Sequence, residues 1–370
     1  MKNILLIGSI LATSGFTSSL GNANDKGQNN IEIISISDKE NYEFKDDVKA
    51  VFFLKDIDDE IIKNRIFETK SIKASNYSSE DVIIDVETIS LGEYYVNVDG
   101  IKIKGELIGT EFTKKTDLEK LVDTISLEIE TEEFDRECKS RIKLLSNSNS
   151  FQIGDDWTRS FSTKINGTMD YEGLHYGDFS EWKEGYYLKT NSNVYYLITN
   201  ETYSIPNTDN TDDFRTSKIT YDYKDNSSYY DIRDYGPKAR NPEATISFSS
   251  SIGGEINSDG SSKIDANISA SYTTIVESPK INDIGNMALD NIKIEFSYKD
   301  PWTESDPWYS YNKNLSMQNT YYVIKENKSN QIPADSVDKR TVSIVRDDFW
   351  PWFDKTVNFN MEKTITLDAN

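Results

Sequence analysis

One histidine and one cysteine serve a chain of 370 residues, and that scarcity excludes a good deal. A lone Cys138 forms no internal disulfide. With His175 as the sole histidine, no multi-histidine zinc site can be assembled, and no metal or cofactor is expected. A Ser-His-Asp triad would have to recruit His175 from Tyr171-Glu172-Gly173-Leu174-His175-Tyr176, and no G-x-S-x-G elbow accompanies it. His175 therefore reads as a bystander in a surface loop. Basic charge is also short: 41 Lys and Arg face 63 Asp and Glu, for a net charge of −22. That balance argues against nucleic acid, which needs a basic surface, and against simple attraction to anionic lipid. Among so many carboxylates chance pairs are inevitable, so glycosidase-like pairs carry no signal. Asn257-Ser258-Asp259-Gly260 resembles a fragment of a calcium loop but lacks the downstream bidentate Glu, and reads as a turn. The chain is not expected to be an enzyme.

Long apolar runs are missing too, apart from one. Lys2, the apolar run Ile4–Leu11 and the small-x-small site Gly21-Asn22-Ala23 read as a secretory signal over residues 1–23. No other run approaches the length of a membrane helix. The mature protein is expected to be exported and water-soluble.

What remains is rich in Tyr, Phe, Asn, Ser and Thr, which suits twisted β structure. Short strands are expected at Ile31–Ile36, Val48–Leu54, Val82–Ile89 and Tyr94–Leu107. A helix is expected over Thr116–Glu132, with Thr116 as N-cap and Glu119 completing a capping box. Ser146-Asn147-Ser148-Asn149-Ser150 is a polar break and suggests a boundary between a small α+β segment, 24–150, and a β region, 151–370. Arg136, Lys139, Arg141 and Lys143 beside it offer a trypsin-like protease a processing site; an ordinary linker is the other reading. Beyond the break, strands are expected at Gly185–Thr190, Asn193–Thr199, Thr216–Tyr223, Asn291–Tyr298, Thr320–Glu326, Thr341–Val345 and Val357–Leu367.

The most informative stretch is Ala244–Ser278. Ile246, Phe248, Ile252, Ile256, Ile264, Ala266, Ile268, Ala270 and Tyr272 fall on one face of a period-2 pattern. Ser247, Ser249, Ser251, Glu255, Asp265, Asn267, Ser269 and Ser271 fall on the other. The apolar face is too thin to fill a core, and each arm exceeds the roughly 9–11 residues that cross a bilayer as a tilted strand. Apolar outside and polar inside is the pattern of a membrane β-barrel, with the first set facing lipid and the second a water-filled lumen. One hairpin cannot close a barrel, so several chains must each contribute one. The alternative is an amphipathic hairpin on a soluble sandwich. If Ile256 faces Ile264, then Glu255 faces Asp265, and rings of carboxylate would favour cations.

Around this stretch lie Asp234-Tyr235-Gly236-Pro237 before it and Glu277-Ser278-Pro279 after it. Further on come Trp302, Trp308-Tyr309, Leu315-Ser316-Met317 and Val345-Arg346-Asp347-Asp348-Phe349-Trp350. This order resembles the leukocidin and alpha-haemolysin family of β-barrel pore-forming toxins over about 150–370. The resemblance implies a leukocidin-like β-sandwich cap, a stem at about 244–278 and a rim at about 299–320 and 345–356. Trp302, Trp308, Tyr309, Trp350 and Trp352 would then anchor at the lipid interface. It also implies a secreted cytolysin that meets a host membrane lipid or receptor and assembles as a homo-oligomer, usually a heptamer, or with a second component. Thr320 stands where the family's headgroup pocket has an Arg, which argues against phosphocholine recognition. The 24–150 segment resembles in position the pro-region of the longer vibrio-type cytolysins; a permanent receptor-binding or anti-assembly domain is the alternative. Outside this family, the competing function is a secreted or surface β-sandwich adhesin without pore activity.

Overall fold

The computed structural model describes residues 31–45, 47–57, 84–132, 134–136, 138–139, 157–189, 193–207, 213–225, 230–236, 254–256, 262–264, 280–286, 291–298, 316–326, 336–347 and 355–365. In chain order these form β1 (Ile31–Ser35), β2 (Ala50–Leu54), β3 (Ile84–Val98), β4 (Ile101–Thr110) and α1 (Lys115–Ile129). Then follow β5 (Thr158–Tyr171), β6 (Leu174–Lys189), β7 (Val194–Pro206), β8 (Asp213–Asp225), β9 (Tyr230–Gly236), β10 (Gly254–Ile256) and β11 (Ser262–Ile264). The last are β12 (Lys280–Asp283), β13 (Asn291–Ser297), β14 (Ser316–Glu326), β15 (Ser336–Asp347) and β16 (Lys355–Ile365). The protein is mainly β.

All but β10 and β11 join one 14-stranded sheet, in the order β12-β13-β8-β15-β16-β3-β4-β5-β6-β7-β14-β9, with β1 and β2 branching from β3. The sheet curls so that its two halves share one core. Ile292, Ile294 and Phe296 of β13, Tyr221 and Tyr223 of β8, and Val342 and Ile344 of β15 meet Tyr196 and Ile198 of β7 and Tyr322 and Ile324 of β14. The alternation that builds this core is plain on β13, where each buried residue is flanked by a half-exposed one.

Two hairpin turns set the register at their ends. Asp99 and Gly100 take φ values of 52° and 81°, and Glu172 and Gly173 take 49° and 80°, the left-handed pair that a two-residue turn matched to strand twist requires. The first turn corrects the expected strands: the break falls at Asp99-Gly100 rather than between Ile89 and Tyr94, so β3 and β4 replace Val82–Ile89 and Tyr94–Leu107. Strands β5 and β9 were not among the expected elements.

Helix α1 starts earlier than its sequence suggests. Lys114, not Thr116, is the N-cap, and the Asp117 carboxylate, not Glu119, accepts the Lys114 backbone N–H at 3.0 Å. An acidic group three residues in satisfies an orphan donor and meets the positive helix end, so the position of Asp117 decides the start. Its buried stripe of Leu118, Leu121, Val122, Ile125 and Ile129 joins Phe52, Tyr94, Leu107, Cys138 and Trp182 in a second core. Because β4 pairs β5 in parallel, from Lys104↔Thr163 to Ile108↔Gly167, the unit β4-α1-β5 is a β-α-β crossover. The polar break at 146–150 lies in its return leg. At the other flank β3 pairs β16 in parallel, from Ile84↔Val357 to Glu87↔Asn360. The ladder thus runs unbroken across both ends of the 31–139 segment.

Candidate functional site

The sheet has two ends, β9 and β12, and the segment 237–279 connects them. The curl brings these ends together. The Tyr235 hydroxyl, one residue before the end of β9, donates to the Asp283 carboxylate at the end of β12, 2.9 and 3.0 Å from its two oxygens. Asp283 Oδ1 also accepts the Gly285 N–H at 3.1 Å. Burial first, and then this carboxylate, push the Tyr235 hydroxyl up to about 12, so the clasp is neutral-to-charged and intact at ordinary pH. Gly236 follows directly. A Cβ there would stand 2.3 Å from the Tyr321 ring, so only glycine lets β9 run flat beneath that ring. No backbone ladder joins β9 to β12 among the described residues.

At the far end of the segment, β10 and β11 pair antiparallel, with Gly254↔Ile264, Glu255↔Lys263 and Ile256↔Ser262. Even residues do pair with even ones, as the period-2 faces require. The register differs from the expected one by two residues, however. Glu255 stands across from Lys263, not Asp265, and Ile256 across from Ser262, not Ile264. Opposite charges directly across a ladder are favourable and like charges are not, so this register is the better one electrostatically. The argument for cation preference from a Glu255–Asp265 pair falls with it. Ile256 and Ile264 are thus on described backbone, as is Glu255. Ile246, Phe248, Ile252, Ala266, Ile268, Ala270 and Tyr272, and Ser247, Ser249, Ser251, Asp265, Asn267, Ser269 and Ser271, lie outside the described residues, as do all five candidate rim aromatics.

Thr320 is on β14 and buried, opposite Asn200, whose side-chain N–H₂ donates to its hydroxyl at 3.4 Å. The position that resembles the family's Arg therefore belongs to the interior. Of the processing candidates, Arg136 and Lys139 are exposed on a helical turn that buries Phe134 and Cys138, and Lys139 pairs with Asp99 at 3.2 Å. Arg141 and Lys143 lie outside the described residues.

The interior carries a group of charges that sequence reading missed. Glu181 and Lys183 of β6 meet Asp338 and Arg340 of β15, and all four are buried. Lys183 and Arg340 both bond Asp338, and Glu181 lies 3.2 Å from Arg340 and 3.4 Å from Lys183. The Arg340 guanidinium also lies over the Tyr221 ring at 3.6 Å. Two cations and two anions make the set neutral, and it bolts one half of the curled sheet to the other.

His175 is no loop bystander. It sits on β6 with Nδ1 2.8 Å from buried Asp170 and Nε2 3.4 Å from Asp178. Burial lowers its pKa, but hydrogen bonds to the two carboxylates outweigh that and raise it to about 10. The folded pKa lies above the unfolded value near 6.5, so the stabilisation is complete below that pH and is lost as pH climbs toward 10. With the ring about a third exposed, the contribution is about 1–3 kcal/mol after solvent screening. As the chain's single histidine, its ring-proton NMR signals are expected to stay flat from about pH 5.5 to 8. A titration midpoint near 6.5 would show that the clamp does not form.

Against known proteins, the chain matches no family model and no curated protein. Among solved structures it is similar to one titled "Pore forming protein", at 11% identity and TM-score 0.27, over 56% of this chain and 87% of that one. It is also similar to a collagen adhesin from S. aureus, at 7% identity and TM-score 0.18, over 57% of this chain and 79% of that one. At such scores neither similarity carries a functional argument. Among the described residues no helix is long and apolar enough to cross a membrane, which leaves crossing by strands untouched.

Proposed function

We propose that the chain is a secreted pore-forming cytolysin whose 237–279 segment supplies one β-hairpin to a transmembrane barrel shared among several copies. The observation that carries this reading is the placement of the segment. It springs from the two ends of a curled sheet, brought together by Tyr235 and Asp283, and turns back on itself at β10–β11 with opposite charges across the ladder. Between root and tip its residues alternate apolar and hydroxyl-bearing, with too little apolar bulk for a core. In the same reading the two facing halves of the sheet form a sandwich cap, the aromatic residues 302, 308, 309, 350 and 352 meet lipid, and the oligomer is a ring of identical chains. The segment 31–139 is read as a retained part of that cap, because it is laddered into the sheet on both sides.

The test is release of a trapped dye from liposomes of several lipid mixtures, together with SDS-resistant oligomers on gels. Both are expected. Absence of release and of oligomer on every mixture, nicked or intact, would sink the reading, and saturable binding to matrix protein without release would favour the adhesin instead.

A further inference from the structure

We propose that Lys183 and Asp338 join through a side-chain amide bond, formed by the folded protein itself with loss of water, that ties β6 covalently to β15. The bond goes beyond the pore reading and does not rest on it. Lys183 Nζ touches Asp338 Oδ2, and both side chains are buried. The two residues stand 155 apart in the chain. Their strands have β16, β3, β4 and β5 between them in the sheet order, so they face each other across the core without sharing a ladder.

Three features separate this contact from an ordinary ion pair. The first is dryness. Lys164–Glu128 and Lys363–Glu106 are also close, but their carboxylates are 37% and 26% exposed, whereas the Asp338 side chain is 0% exposed and that of Lys183 2%. Tyr223 stands across the ladder from Asp338, and the Tyr221 ring lies under Arg340, which adds apolar surface around the group. In such a place a charged pair has little advantage over its neutral form. The second is Arg340, whose Nη1 bonds Asp338 Oδ1, the oxygen that Lys183 leaves free. The third is Glu181, whose Oε1 lies 3.4 Å from Lys183 Nζ and 3.2 Å from Arg340 Nη2. An amine, a carboxyl group, a cation on its second oxygen and a further carboxylate beside the amine are the parts that amide formation needs.

The quartet with all four charges in place is the state before the bond forms. Passing one ammonium proton across the contact gives a neutral amine and a neutral carboxylic acid, with no charge left over. Lys183 Nζ then attacks Cγ of Asp338. The Arg340 guanidinium on Oδ1 offsets the negative charge that gathers there as the carbon becomes tetrahedral. Glu181 takes a second proton from the nitrogen and delivers it to Oδ2. The Cγ–Oδ2 bond breaks, and that oxygen departs as water with two of the ammonium hydrogens, while the last stays on the amide nitrogen. Nothing is oxidised or reduced. Glu181 remains a carboxylate beside Arg340, so the core stays neutral. Holding the reacting groups in contact supplies the proximity that free molecules lack. In a chain whose single cysteine forms no internal disulfide, this bond is a covalent tie between the two halves of the sheet.

The bond is read by mass spectrometry of the full chain, folded and then fully denatured. A mass one water below that of the sequence is expected, with a branched tryptic peptide that joins residues 165–189 to 329–339 and is uncut at Lys183. The branched peptide decides, because succinimide formation at Asp99-Gly100 or Asp259-Gly260 also loses water but joins no peptides. Glu181→Gln keeps the amine, the carboxyl group and Arg340 and removes the proton carrier. It is expected to close roughly a hundredfold more slowly, followed as branched peptide against time after refolding. Closure at the wild-type rate in that variant would overturn the part given to Glu181. The wild-type measurement stands by itself should the variant not fold: full sequence mass and only linear peptides, after prolonged incubation of the native protein, would overturn the proposal.

Discussion

Replacing Asp338 with Asn is expected to lower the unfolding free energy by about 3–5 kcal/mol, the cost of leaving buried cations without their counter-charge. Asp338 takes bonds from both Lys183 and Arg340, and all three are within the core between β6 and β15. Asn keeps the shape and one acceptor, so the loss reports charge rather than packing. Lys183 and Arg340 would then share Glu181 alone, 3.4 and 3.2 Å away. Adding Lys183→Met to Asp338→Asn restores neutrality, with Glu181 and Arg340 left as a pair. The double variant is therefore expected to recover part of the loss, with a coupling of about 1–3 kcal/mol. Urea unfolding of the four proteins measures this, and a loss below about 1 kcal/mol for Asp338→Asn would show that the quartet contributes little. The acid limb has a definite sign. Burial raises the Asp338 pKa, but the Arg340 and Lys183 charges outweigh it and hold the carboxyl below its ordinary value. Its stabilisation is thus present above about pH 4 and is lost only as pH falls through the lowered pKa. His175 is charged throughout the same range. Neither buried network switches between about pH 5 and 7, so mild acidity has no trigger in either.

The quartet shows where the sequence runs out of information. Glu181-Trp182-Lys183 and Asp338-Lys339-Arg340 each put opposite charges two residues apart on a strand. That is also the pattern of a solvated sheet face, and nothing local distinguishes a face turned to water from one turned to a second layer. The buried state follows from the curl, which is a property of the whole sheet. The alternation over 244–278 is a local pattern that can be written down residue by residue, but apart from 254–256 and 262–264 it lies outside the described residues. The register at its tip was misread: facing Ile256 with Ile264 opposes Glu255 and Asp265, which repel, whereas Glu255 stands across from Lys263. Asp99-Gly100 was a plain hairpin signal between two apolar alternations. The joining of 31–139 to the rest was not legible. It depends on two parallel ladders, and parallel pairing leaves no turn signal because its partners are separated by a crossover.

That joining predicts the fate of a nicked protein. Trypsin cleavage between residues 140 and 156 is expected to leave both pieces associated, eluting together at the intact size in native buffer and separating only in denaturant. The five buried residues of α1 alone contribute on the order of 10 kcal/mol of burial, at about 1.5–3 kcal/mol each. They share a core with Trp182, which belongs to β6. Across the cut, the Tyr94 hydroxyl donates to Asn166 at 2.8 Å, the Thr110 hydroxyl to the Asp170 carbonyl at 2.6 Å, and the Thr88 hydroxyl to the Asn360 carbonyl at 2.9 Å. Lys164 pairs with Glu128, and Lys363 with Glu106. Departure of 31–139 would break these, expose Trp182 and bare one edge each of β5 and β16, and open edges recruit other strands. A pro-region that leaves on cleavage would give the reverse result: a free N-terminal fragment, a red shift in tryptophan emission as Trp182 meets water, and rapid association of what remains. Co-elution with unshifted emission is the outcome that fits two parallel ladders and a shared core, and it would make any gain in activity on nicking a matter of freeing the 140–156 connection rather than shedding a domain.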